Sequence, residues 1–206
     1  MSGALRGMPP MNRRRFGVAV LATLSGCASI EAVEGERTLA GRLVVTVGQA
    51  WNRLRSSEDR QPYETWTQHG FMLDQLRLWP GVASGEAMVA VPPVPASGRR
   101  APRVPTFQAR MAPDQIASLF EVLYAMDGSQ VKLTRLDAAR FAGERGLRLE
   151  FSVVRQRDDV QLSGVAWVAV RQERLYALAY TAPRLSFFGR GLPQAEAVAA
   201  SARIKA

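Results

Sequence analysis

One histidine and one cysteine bound the side-chain chemistry open to this chain of 206 residues. With only His69 and Cys27 available, a multi-histidine, Cys/His or paired-cysteine metal site cannot be assembled. A Ser/His/Asp relay would have to use His69, and no serine sits in a G-x-S-x-G elbow. What is left for His69 is a place in an exposed turn with Gly70, or the part of a lone general base with Glu64 or Asp74 as its carboxylate partner. Asp158-Asp159 reads as a turn, because Asp bonds its own backbone there, and calcium would need more oxygens close by. Gly143, Gly146, Gly189 and Gly191 are not spaced as a phosphate loop and read as turns. Met72, Met88, Met111 and Met126 are too scattered for a copper-binding run, and Trp51, Trp66, Trp79 and Trp167 suit a core better than a sugar-stacking platform. No catalytic residue, metal or cofactor is expected from these residues.

Cys27 has another chemistry available. It closes the string Leu24-Ser25-Gly26-Cys27, after Arg13-Arg14-Arg15 and an apolar run over residues 16–24. A run of this length fits a signal peptide and is about half the ~20 residues that a spanning helix needs. Basic segment, short apolar segment, small residues and cysteine, in that order, resemble the bacterial lipoprotein precursors. The resemblance implies that residues 1–26 are a cleaved signal peptide, and that Cys27 carries a diacylglyceryl group with an acyl chain such as palmitate on the new amino terminus. Without lipidation, Cys27 would be a plain thiol near the start of the domain. Met11 would give a signal peptide of conventional length, leaving residues 1–10 as an upstream extension. Asn12-Arg13-Arg14-Arg15-Phe16 also partly resembles the twin-arginine export signal, so the export route stays open. No aspartate follows Cys27, which by the same resemblance favours the periplasmic face of the outer membrane over the inner membrane.

Loss of Arg6, Arg13, Arg14 and Arg15 with the signal peptide lowers the formal charge from +9 to +5. A modest positive balance suits anionic lipid head groups or acidic glycans. Nucleic acid is a poor partner, since no basic run is interleaved with aromatics.

These residues must be held by a domain, and the pattern places one over residues 37–206, behind a lipidated N-terminus and acidic tether at 27–36. Residues 39–47 read as a first strand, and Trp51 and Leu54 as part of a short helical or irregular turn. Residues 63–68 and 71–79 read as a hairpin turning on His69-Gly70, with Trp66 near Phe71 or Leu73 and Pro80-Gly81 as its end. Residues 91–105, with Pro92, Pro93, Pro95, Pro102 and Pro105, form an extended loop. Its Arg99, Arg100 and Arg103 make it a candidate recognition loop for a peptide, glycan or lipid head group.

Pro113 and Asp114 open a helix whose Ile116, Leu119, Phe120 and Leu123 share one face, ended by Asp127-Gly128. Strands are expected at 131–141, 147–155, 160–171 and 174–180; Leu147, Leu149, Phe151 and Val153 alternate with Arg148, Glu150 and Ser152. A loop over 182–192 leads to a closing helix at 193–200. In that loop Phe187 and Phe188 stand side by side between Leu185 and Gly189, a candidate partner-docking tip unless one ring seals the core.

The order predicts an α+β sandwich, an antiparallel meander flanked by helices. Its last third, with Gly164, Ala166, Leu175-Tyr176, Tyr180, Pro183 and the segment 193–201, is similar to the PsbP-like fold. That resemblance implies an extrinsic scaffold or adaptor rather than an enzyme. The expectation is therefore a non-enzymatic lipoprotein that binds an envelope protein or glycan. The alternative is a lipoprotein holding a lipid or small apolar ligand between sheet and helix, which a large apolar pocket would favour and a side-chain-filled interior would oppose.

Overall fold

Four consecutive strand-forming segments build the sheet's regular half, the first two mixing polar and apolar residues and the last two largely apolar. The structure, a computed structural model, describes residues 29–55, 60–90 and 104–205. Within it, β5 (Gln130–Phe141), β6 (Glu144–Val154), β7 (Gln161–Arg171) and β8 (Arg174–Pro183) form the expected antiparallel meander. Two tight turns need left-handed backbone. Ala142-Gly143 supplies φ of 52° and 86°, and Gln172-Glu173 supplies 48° and 57°.

Period-two alternation on β7 and β8 feeds two cores. Val165, Trp167, Ala169, Tyr176, Leu178 and Tyr180 face one; Ala166, Val168, Leu175, Ala177 and Ala179 face the other. Both strands are buried on both faces, so their sequences read as nearly unbroken apolar runs.

Each face carries one helix. Helix α1 (Pro113–Ala125) buries Ile116, Leu119, Phe120 and Leu123 against the second core, as its spacing predicts. Pro113 occupies its first turn, and the Gln115 side chain accepts the Ala112 N–H at 2.9 Å. Helix α2 (Gly189–Ser201) lays Ala195, Val198 and Ala199 on the first core. Ser201 then ties α2 to the sheet, its hydroxyl accepting the Thr46 N–H at 2.8 Å.

The first half of the chain departs from expectation. Residues 29–36 of the expected tether lie in the sheet instead, because β1 (Ser29–Leu39) pairs along its length with β2 (Leu43–Arg55). A turn at 40–42 falls inside the segment expected as one strand, with Ala40 and Gly41 at φ 44° and 70°. Trp51 and Leu54 lie on β2, not on a helical turn. Strand β3 (Glu64–Thr67) pairs Trp66 with Leu76 of β4 (Gln75–Ala83), so the connection is a seven-residue excursion, 68–74, rather than His69-Gly70 alone. Trp66 is therefore not opposite Phe71 or Leu73. Pro80-Gly81 does not end β4. A register irregularity between Pro80 and Val82, with Gly81 at φ 116°, absorbs the missing N–H, and the strand continues to Ala83.

The segment expected as a loop at 182–192 is also ordered. Strand β8 runs to Pro183, a π-helical turn follows at Arg184–Phe188, and α2 starts at Gly189, before Pro193. The sheet order is β1-β2-β3-β4-β8-β7-β6-β5, and β9 (Arg203–Ile204) pairs with Leu43 and Val44 of β2. Beneath the PsbP-like sandwich expectation, the result is mostly antiparallel sheet with two helices. Cys27, the signal segment 1–26 and Arg99, Arg100 and Arg103 lie outside the described residues.

Candidate functional site

Strand register brings several of the singled-out residues to one end of the sheet. Ala32 pairs with Asn52 and Asn52 with Thr67; Gln75 pairs with Thr181, Thr181 with Gly164, Gly164 with Phe151 and Phe151 with Leu133. Beyond this row lie the start of β1, the excursion 68–74, the β6–β7 turn, the π-turn and the end of α1.

The excursion is organised by Asp74. Its side chain is fully buried, and its carboxylate accepts the Thr67 hydroxyl at 2.6 Å, the Gln68 N–H at 2.8 Å and the His69 N–H at 2.7 Å. The Gly70 N–H in turn reaches the Thr67 hydroxyl oxygen at 2.8 Å, and Gly70 takes φ 109°. A buried carboxylate with three donors is stabilised as an anion and acts as a structural staple. His69 Nδ1 stands 3.7 Å from Asp74 Oδ1, beyond hydrogen-bond length, and its ring meets Phe187 edge-on at 5.4 Å. Glu64, the other proposed partner, is engaged elsewhere, by Arg53 at 2.8 Å and the Trp66 indole N–H at 3.0 Å. His69 is a turn residue in contact with an aromatic ring, and the two carboxylates expected as its partners are engaged by other donors.

Phe187 and Phe188 both turn inward. Phe188 stacks on Tyr180 at 5.8 Å, and Arg190 lies 5.1 Å over Phe187 while donating to the Ser186 carbonyl at 2.6 Å. The projecting apolar side chain of this turn is Leu185, 90% exposed. Tyr180 closes the core beneath. Its hydroxyl is buried without a hydrogen-bond partner, and burial pushes its ionisation up, with the Asp74 charge adding to the rise. A Cβ on Gly191 would stand 1.9 Å from that hydroxyl, so only glycine fits there.

Between the excursion, the end of α1 and the β6–β7 turn lies a cleft of about 250 Å³, lined by Met72, Asp74, Arg77, Tyr124, Arg155 and Arg157 among others. Sequence reasoning did not single out its central cation. Arg77 sits between the rings of Tyr63 and Tyr124, 5.2 and 5.1 Å from their centres, and is held by Gln75. Burial pushes the Tyr124 phenol up to about 12, with the nearby Arg77 charge and Thr181 hydroxyl opposing the rise. The signal that could have found Arg77 is its alternation on β4 with Leu76 and Leu78, which places it on the face opposite theirs.

At the rim, Arg155 grips Asp158 through two bonds of 2.8 and 2.7 Å and donates to the Met72 carbonyl at 2.9 Å. That grip holds the Asp158 carboxyl below its ordinary range. Asp158-Asp159 is thus the expected turn, with Asp159 at φ 53°. Among the described residues no group of three His, Cys, Asp or Glu side chains could hold a metal, and no helix is long and apolar enough to cross a membrane.

No protein-family model matches the chain, and no curated protein matches it. Among solved structures it is similar to the solution structure of cyanobacterial PsbP (CyanoP) from Synechocystis sp. PCC 6803, with a TM-score of 0.54 at 12% identity over 92% of this chain and 100% of that one. At that identity the likeness is one of fold, and the fold is PsbP-like.

Proposed function

We propose that the chain is a bacterial lipoprotein, anchored through Cys27 at the periplasmic face of the outer membrane, that works as a non-enzymatic adaptor for an envelope protein or glycan. One observation carries the adaptor reading. Both sheet faces are packed with side chains, and the carboxylate nearest the chain's one histidine is committed to the backbone of its own turn. Such a molecule has its surface to offer rather than an interior. The cleft beside Arg77, at about 250 Å³ with Arg77, Arg155 and Arg157 in its wall, suits a lipid or small apolar ligand poorly, and the larger groove of about 410 Å³ bounded by Phe151, Phe188 and Leu192 also carries Lys132, Arg148 and Glu150 in its wall.

The test is in-cell crosslinking and recovery of the wild type beside Cys27→Ser, with the mass of the processed N-terminal peptide. Expected are an acylated Cys27 and an envelope partner enriched with the wild type. An unmodified Cys27 thiol refutes the anchor, and recovery of no envelope component refutes the adaptor.

A further inference from the structure

The exposed large hydrophobic side chains among the described residues are Ile30, Met72, Leu73, Met126 and Leu185. They come from four separate elements: the start of β1, the excursion 68–74, the end of α1 and the π-turn. The strand register puts all four at the same end of the sheet. Contacts join two of them, since His69 of the excursion meets Phe187 of the π-turn, and the neighbouring β6–β7 turn reaches Met72 of the excursion through Arg155 and Arg157. Arg184 precedes Leu185 in the π-turn, and Arg190 lies over Phe187 of the same turn; both are exposed. The opposite end, with the turns at 40–42, 142–143 and 172–173, has none of these apolar side chains.

Asp127, Asp158 and Asp159 share this end, with Arg155 and Arg157 paired to Asp158, so the arginines left for an anionic surface are Arg184 and Arg190 at the π-turn. Apolar side chains beside such arginines match a bilayer interface, where the apolar groups enter the head-group boundary and the guanidinium groups meet phosphates. Where the chain enters this end selects that occupant. Strand β1 begins at Ser29, two residues after Cys27, and two extended residues reach only about 7 Å.

We propose that this end of the sandwich rests on the membrane surface, with Leu185, Met72, Leu73, Met126 and Ile30 in the head-group region and Arg184 and Arg190 on anionic phospholipid. The proposal rests on the lipoprotein reading above for its anchor. It turns the opposite end toward the aqueous compartment, and so toward any partner.

The test places a benzophenone side chain at Leu185 or, at the far end, at Glu173 in the full chain, purified from bacterial membranes and incorporated into phosphatidylethanolamine/phosphatidylglycerol vesicles. After illumination, lipid adducts and the acylation of Cys27 are read separately by mass. Expected are lipid adducts several-fold more abundant from position 185 than from 173, reduced when Arg184→Glu and Arg190→Glu are added. Equal yields from the two positions, or adducts at 185 to a second copy of the chain, overturn the membrane face. An unacylated Cys27 with preferential lipid adducts at 185 removes the anchor and leaves the face standing. Acylated Cys27 without that preference removes the face alone. Because Leu185 is almost wholly exposed, its replacement takes nothing from the core.

Discussion

Asp74 shows how a residue that looks like half of a catalytic pair can be the staple of a turn. Three donors converge on its buried carboxylate, and Asp74→Ala would leave all three without it. The expected cost is about 3 kcal/mol in urea unfolding, against about 0.5 kcal/mol or less for His69→Ala. Equal effects would mean that the histidine shares the structural role. Tyr124 gives a second residue-scale test. Its phenol titrates near 10 when unfolded and at about 12 when folded, so the folded state holds its proton longer. The contribution is complete below pH 10 and is lost as pH rises through 12, amounting to about 3 kcal/mol by the linkage of two pH units. Tyr124→Phe is expected to flatten the fall in stability between pH 10 and 12, and an unchanged alkaline limb would assign that fall to other groups.

Strand β1 is where residue pattern and element diverge. Glu31, Glu34 and Glu36 give residues 28–36 the composition of a linker, yet the same charges suit the unpaired edge of a sheet, where they discourage a second chain from adding on. A linker and a blunted edge strand share a composition and differ only in a few inward positions, here Val33 and Leu39, which are 2% exposed. Gly35, at φ 67° beside the register shift, further breaks the alternation that would betray the strand. Val33→Asp is therefore expected to cost about 3 kcal/mol or more, whereas a tether would tolerate it, and thermal unfolding distinguishes the two. The second half of the chain was legible because β5 to β8 are joined by turns of a few residues, with β6 alternating apolar and polar side chains and β7 and β8 standing out as apolar runs. The excursion 68–74 was not, because its order comes from Asp74 folding back on Thr67, a side-chain contact without a periodic signature. The same applies to Phe187 and Phe188. Their pairing in sequence suggested projection, but the π-turn rotates both toward His69 and Tyr180 and leaves Leu185 outside.

At the scale of the whole molecule, the PsbP-like sandwich was visible in the order of its elements, while its polarity was not. Cleft, arginines and exposed apolar side chains collect at one end only after the β4–β8 pairing joins the first four strands to the later meander and so brings β1, α1 and the π-turn together. Arg77 is an example, since Tyr63 and Tyr124 flank it from different elements that no local pattern relates. The pairing of β2 has a further consequence. One edge of its first residues is completed by β9, Leu43 with Ile204 and Val44 with Arg203. The amino-terminal strands are therefore complete along this edge only once residues 203 and 204, at the far end of the chain, are in place. The last residues of the chain are thus part of the sheet, and removing residues 203–205 would leave a short stretch of β2 with an open edge.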